Sequence, residues 1–258
     1  MAARDATEDG RRIALVTGVG RRIGIGAAIA ERLTTDGFDV GVTFWSAYDG
    51  RMPWGADPGG VEAITSLLER PGARTLAVEA DLELPTTAGD VFDRVEGALG
   101  PVSVLVMCHC ESVDSGILDT TVESFDRHFA VNARATWLLI RELGRRYRGA
   151  HGRGRIISLT SDHTVGNMPY GASKGALDRI TLAAAIELAD LGVTANVVNP
   201  GATDTGWMTP ELLSDVIDAT PLGRIGQPSD VANLVSFLCS EDGGWINGQL
   251  LCSNGGIA

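Results

Sequence analysis

Tyr170 and Lys174 stand four residues apart in "YGASK", a spacing that puts two side chains on one face of a helix. A phenol with a reference pKa of about 10 exchanges protons at neutral pH only with help, and a nearby ammonium can give it. Pairs of this kind arise often by accident. The composition argues against accident here: of the 21 lysines and arginines, 20 are arginine, and Lys174 is the one lysine. Lysine is a compact point charge whose pKa burial can tune, whereas arginine stays charged.

A second group is "TGVGRRIGIG", Thr17 to Gly26, between a β-branched run and a helical pattern. Glycines there let the backbone approach a pyrophosphate, and a helix N-terminus adds free N–H groups, so the turn predicts dinucleotide binding. An Asp or Glu about twenty residues on would bind the ribose hydroxyls of NAD. The next apolar run ends "TFWS", with no carboxylate at Trp45 or Ser46, and Arg21 and Arg22 suit a 2′-phosphate. NADP is therefore favoured over NAD, although Asp49, slightly further on, would reverse the preference. The third group, Cys108, His109 and Cys110, ends the apolar run "VLVMC". Along a strand, successive side chains point to opposite faces, so these three do not converge on one ion, and no metal site is expected. Thiols packed in a core are the simpler reading, with His109 still able to face a cofactor.

The elements that must position these groups alternate. "RIALVTG", "DVGVTFW", "RTLAVEADL", "VSVLVMC", "GRIISLTS", "VTANVVNPG" and "GQLLCSNGG" read as strands. Helical patterns lie between the early ones, and a long helix is expected from about Val122 to Arg148 and another from Tyr170 to Leu191. This alternation predicts an α/β fold with one doubly wound parallel sheet, a Rossmann fold, helices covering both faces. "SAYDGRMPWGADPGG", Ser46 to Gly60, reads as a surface loop. The domain is expected over 12–258, after a flexible polar lead-in over 1–11. The formal net charge of −12 opposes nucleic-acid binding, which relies on a basic surface. No apolar stretch approaches the roughly 20 residues that span a bilayer, and a cytoplasmic protein is expected.

Taken in order, "TGVGRRIGIG", "ADL", "VNARA", "TS" before "YGASK", "NPGATDTGWM" and the closing "PLGRIGQPSDVANLVSFLCSEDGGWINGQLLCSNGG" resemble the short-chain dehydrogenase/reductase family, from about Arg12 to Gly256. The ending is most similar to the 3-oxoacyl-carrier-protein reductase branch. The resemblance implies that Tyr170 protonates a carbonyl oxygen as hydride arrives from the nicotinamide. Lys174 would lower the Tyr170 pKa and bind the nicotinamide ribose, Ser161 would hold the oxygen, and Asn132 would bind a relay water. Gly18, Gly24 and Gly26 would line the pyrophosphate, together with Gly20 and Ile25 of the same turn. Asp81 and Leu82 would line the adenine; Pro200, Gly201, Thr203 and Thr205 would line the nicotinamide. It further implies a dimer or tetramer and a ketone or secondary alcohol as substrate, apolar or carrier-bound.

Three departures from the family pattern bear on these roles. The glycine turn is two residues longer than TGxxxGIG, which leaves open the contacts of Gly20, Gly24 and Gly26. Ser161 and Tyr170 are only nine positions apart; Ser158 fits the usual interval better, but the last serine of "IISLTS" aligns. "MCHC" stands where the family has Asn-Asn-Ala-Gly, which leaves a non-catalytic NADP sensor as an alternative; dehydratase or epimerase chemistry is another. The segment after Pro200 is expected to form a flap, where Trp207 and Met208 either meet an apolar substrate or pack on the core.

Overall fold

The computed structural model describes residues 10–257. Its strands are β1 (Ile13–Thr17), β2 (Asp39–Phe44), β3 (Thr75–Glu79), β4 (Val102–Met107), β5 (Gly154–Leu159), β6 (Val193–Asn199) and β7 (Leu250–Cys252). They form one sheet in the order β3-β2-β1-β4-β5-β6-β7, and every pairing is parallel. All C-terminal strand ends therefore lie along one edge. The chain runs outward from β1 to β3 and then crosses back to β4, so a crevice opens at that edge between β1 and β4, the place where such sheets hold ligands.

The helices are α1 (Ile25–Thr35), α2 (Ser46–Arg51), α3 (Gly60–Leu68), α4 (Thr87–Leu99), α5 (Val122–His128), α6 (Ala135–Arg146), α7 (Met168–Glu187), α8 (Pro210–Ala219) and α9 (Pro228–Cys239). Strand side chains alternate between two cores. Leu15, Leu105 and Ile156 pack under α4, α6 and α7 with Phe92, Leu139 and Leu143. Val16, Val42, Val104 and Val106 pack on the other face with Ile29, Leu33, Ile64 and Val235 of α1, α3 and α9. Burial on both faces is why the strands read as continuous apolar runs, each large side chain contributing roughly 1.5–3 kcal/mol. The doubly wound α/β fold expected from the alternation is the fold observed.

One local expectation is refined and two are corrected. The helix expected over Val122 to Arg148 is α5, a π-helical turn at Phe129–Arg134, and α6. Thr136 donates its hydroxyl to the Asn132 carbonyl at 2.8 Å across this turn. Ser46 to Gly60 is not merely a surface loop, because it contains α2 and buries Asp49. Cys108, His109 and Cys110 lie beyond β4, which ends at Met107. Most of the lead-in, residues 1–9, lies outside the described residues. Arg11 is tied to the fold by an ion pair with Asp39 and hydrogen bonds to the carbonyls of Thr34 and Phe38.

Candidate active site

The glycine turn leaves β1 and enters α1. Gly18 has φ +73°, and a Cβ there would lie 2.5 Å from the backbone nitrogen of His109, so only glycine lets the exits of β1 and β4 approach this closely. Gly24 is the N-cap of α1, and no side chain caps the first turn. A Cβ on Gly26 would meet the Gly18 carbonyl at 2.8 Å. Gly26 is thus the glycine that packs helix against strand, and the two additional residues belong to the turn before Gly24. Those additional residues reach other loops: Arg21 donates to the Thr205 carbonyl at 3.0 Å, and Ile23 packs on Gly206. Gly20 abuts the Asp49 carboxylate.

At the β5 exit the short connection to α7 brings Ser161 to Tyr170. A Cβ on Gly171 would lie 2.3 Å from Thr164 Oγ1, so the connection is pressed against the first turn of the helix. Burial pushes the Tyr170 phenol well above its ordinary pKa, Cys110 adds to the rise, and the Ser161 hydroxyl opposes both. Ser158, which fits the family interval, is instead buried and bonded to Thr181 at 2.7 Å. Lys174 is 2% exposed and donates to the carbonyl of Leu159, the last residue of β5, at 2.7 Å. Its ammonium is 5.6 Å from the centroid of the Tyr170 ring, and burial lowers its pKa. It acts electrostatically on Cys108, His109, Cys110 and Asp178.

Asn132, in the π-helical turn, commits both amide protons to the protein, one to the Glu111 carbonyl and one to Ser173 Oγ, each at 2.9 Å. Its Oδ1 accepts from the Glu111 N–H at 2.8 Å. Ser173 in turn donates to the Tyr170 carbonyl at 2.8 Å. Asn132 therefore ties the loop after β4 to the helix carrying Tyr170 and Lys174. The same loop is joined to the start of α7 through Asn167, which donates to Ser112 at 2.9 Å, and Met168, whose N–H donates to the Ser115 carbonyl at 2.9 Å.

His109 does not face the crevice. Its ring is buried between Thr17 Oγ1, 2.6 Å from Nδ1, and the Val131 carbonyl, 3.1 Å from Nε2. A carbonyl only accepts, so Nε2 carries the proton and Nδ1 accepts from Thr17. Burial lowers its pKa to about 3. Above the ordinary value of 6.5 the neutral ring contributes its full stabilisation. As pH falls from there towards 3, the unfolded chain takes a proton that the folded one refuses, and that contribution is lost. Replacing His109 by alanine orphans the Thr17 hydroxyl and the Val131 carbonyl and leaves a cavity. The expected cost is roughly 2–4 kcal/mol at neutral pH. Denaturant titrations should show it, with a gap from wild type that narrows on acidification. Cys108 packs on the α1-side core, its thiol pushed by burial up to about 12. Among the described residues the four cysteines are unpaired, and no cluster of His, Cys, Asp and Glu could hold a metal.

The remaining expected residues line the same edge. Asp81 accepts the Glu83 N–H at 2.9 Å, closing a turn after β3, and Leu82 is buried against α4. After β6, Pro200 opens a turn in which Gly201, at φ +60°, packs on Asn254, and Thr203 donates to the Pro200 carbonyl at 3.2 Å. Thr205 is buried, while Trp207 is 47% exposed and so is not a core residue. Four residues near the crevice were not expected: Tyr48, Arg51, Asp57 and Glu111. Arg51 of α2 makes an ion pair with the buried Glu111, and Tyr48 lies beside Cys110. The one trace of Tyr48, Arg51 and Asp57 in the sequence is the density of charged and aromatic residues in "YDGRMPWGAD", which an unstructured surface loop does not need; Glu111 has none.

A parallel doubly wound sheet with a glycine turn at its C-terminal edge is the fold class in which dinucleotide-dependent oxidoreductases are found. The family described as enoyl-(acyl carrier protein) reductase matches residues 18–258. An uncharacterized oxidoreductase, YjdA, of Bacillus subtilis is 35% identical over 95% of this chain and 96% of its own length. An NADPH-dependent aldehyde reductase-like protein of the Arabidopsis thaliana chloroplast is also 35% identical, over 95% of this chain and 93% of its own. A short-chain dehydrogenase of Burkholderia cenocepacia, solved in complex with NADP, superimposes with a TM-score of 0.83 at 32% identity, covering 96% of this chain and 97% of that one. The chain belongs to the short-chain dehydrogenase/reductase family.

Proposed function

We propose that this protein is an NADP(H)-dependent reductase that interconverts a ketone and a secondary alcohol. The observation that carries the reading is the convergence of Tyr170, Ser161 and Lys174 beside the glycine turn, on one crevice edge. The residues present suit a dinucleotide. The first turn of α1 has uncapped N–H groups for a diphosphate, and the buried Lys174 ammonium gives one of its three protons to the protein among the described residues. Gly18, Gly24, Ile25 and Gly26 would hold the diphosphate, Lys174 a ribose hydroxyl, and Pro200, Gly201, Thr203 and Thr205 the nicotinamide. When bound, the nicotinamide supplies or accepts the hydride. Tyr170 donates a proton to the carbonyl oxygen, and Ser161 holds that oxygen by a hydrogen bond. Asn132 positions both α7 groups through Ser173 and Glu111.

NADP(H) is supported by the NADP complex of the Burkholderia cenocepacia relative and by the NADPH dependence that the Arabidopsis protein's name carries. The exposed Trp207 supports an apolar carbonyl substrate. Large apolar side chains left exposed on α5, α6 and α9, Phe125, Trp137 and Phe237, and Trp245 in the turn after α9, support a dimer or tetramer. The test is loss of NADPH absorbance in the presence of a panel of ketones and aldehydes. Turnover of at least one carbonyl with equimolar alcohol formed is expected. Tight NADPH binding with no carbonyl reduced would overturn the reading in favour of a binding protein, and product without net cofactor consumption would point to dehydratase or epimerase chemistry.

A further inference from the structure

Arg21 and Arg22, the two cations of the glycine turn, both face carboxylates supplied by the segment between β2 and α3. Arg22 donates its backbone N–H and its Nε to Asp57 at 3.0 and 3.1 Å. Asp57 also accepts the Gly59 N–H at 3.0 Å, and its side chain is 7% exposed against 50% for Arg22. Arg21 stacks over the Trp54 ring at 4.7 Å, and its Nε is 3.9 Å from Asp49. Asp49 is buried, accepts Trp54 Nε1 at 3.2 Å, and touches Gly20. Between them lies a small cavity of about 30 Å³, lined by Gly20, Phe44, Ser46, Asp49, Asp57 and Ile64. It sits at the end of β2, where a dinucleotide's adenosine ribose meets the sheet edge.

Two arginines here would ordinarily mark a strong preference for a 2′-phosphate. With each facing a carboxylate, the local charge is close to neutral. We infer that Asp57, backed by Asp49, is a specificity-determining residue: it neutralises Arg22 and so weakens the discrimination between NADPH and NADH. Hydrogen bonds from Arg22 hold the Asp57 carboxyl below its usual range, so it is ionised at neutral pH. A 2′-phosphate arriving beside Arg22 meets that negative charge at close range, in a site partly shielded from water where Coulomb terms are enlarged. An unphosphorylated ribose carries no such charge and is indifferent to it. This rests on the reading that the crevice binds a nicotinamide dinucleotide.

The test is direct titration of the wild-type protein and of Asp57→Asn with NADPH and with NADH, following nicotinamide fluorescence or heat. Asparagine is isosteric and removes the charge; its one oxygen can keep the bond from the Arg22 N–H, while the Gly59 N–H, accepted by the other carboxylate oxygen, loses its partner. The expected result is an NADPH Kd about tenfold lower in the variant, equivalent to about 1.4 kcal/mol, with the NADH Kd within about twofold. Arg22→Ala leaves Asp57 bare, and NADPH affinity should fall at least tenfold, with part of it restored by adding Asp57→Asn. If Asp57→Asn does not fold, Asp49→Asn carries the same prediction at smaller amplitude. An unchanged or weaker NADPH affinity, or equal shifts for both dinucleotides, would overturn the inference alone. Failure of the wild-type protein to bind either dinucleotide would overturn the proposed function with it.

Discussion

Tyr170→Phe lowers carbonyl turnover by a factor of at least 10³ on the proposed mechanism, while the NADPH Kd stays within about twofold. General acid catalysis by a positioned group contributes about 10²–10⁴. Phenylalanine keeps the ring above the Lys174 ammonium and removes only the hydroxyl beside Ser161, so the dinucleotide contacts are untouched. The pH dependence follows from the direction of the phenol's pKa. Burial raises it, so the acid form that reduction needs persists through neutral pH and the reductive rate should be flat there. Oxidation of the alcohol needs the phenolate, and its rate should climb about tenfold per pH unit on the alkaline side. Steady-state rates in both directions, with NADPH titration of the variant, check this. Activity within tenfold of wild type would remove Tyr170 from the chemistry.

Lys174→Met should lower turnover at least 100-fold and, unlike the change at Tyr170, weaken NADPH binding at least tenfold. The reason is that the Lys174 ammonium, 5.6 Å from the centroid of the Tyr170 ring, is proposed to hold a ribose hydroxyl and to pass on protons. Methionine matches the stem in volume but leaves the Leu159 carbonyl without its donor. The same substitution should leave the unliganded protein as stable as wild type or more so. An ammonium 2% exposed, with its pKa lowered by burial and one hydrogen bond, is held at a desolvation cost that methionine does not carry. Thermal unfolding without cofactor measures this. A variant both inactive and strongly destabilised would make Lys174 a structural residue. Arginine is no substitute: it is bulkier in a closed site and cannot release a proton.

Much of this was readable in the linear chain because the signals are local. The central strands are buried on both sides by helices, so apolar runs and helical patterns alternate plainly, and a parallel doubly wound sheet accommodates them. The glycine turn and the i, i+4 Tyr170–Lys174 pair are likewise short-range, and the solitary lysine is visible in composition alone. Tertiary structure decided what depends on which distant segments meet. It placed Gly26, rather than Gly20, against the strand, by bringing the Gly18 carbonyl to the helix. It turned His109 inward, because Thr17 and Val131, far apart in sequence, close around its ring. It widened the long helix into a π-helical turn around Asn132, whose amide joins Glu111 to Ser173 across two elements. Above all, it set Asp49 and Asp57 against Arg21 and Arg22. Charges pair through space, so an arginine-rich turn read along the chain looks free to bind phosphate, whereas in the folded protein it is already partly neutralised.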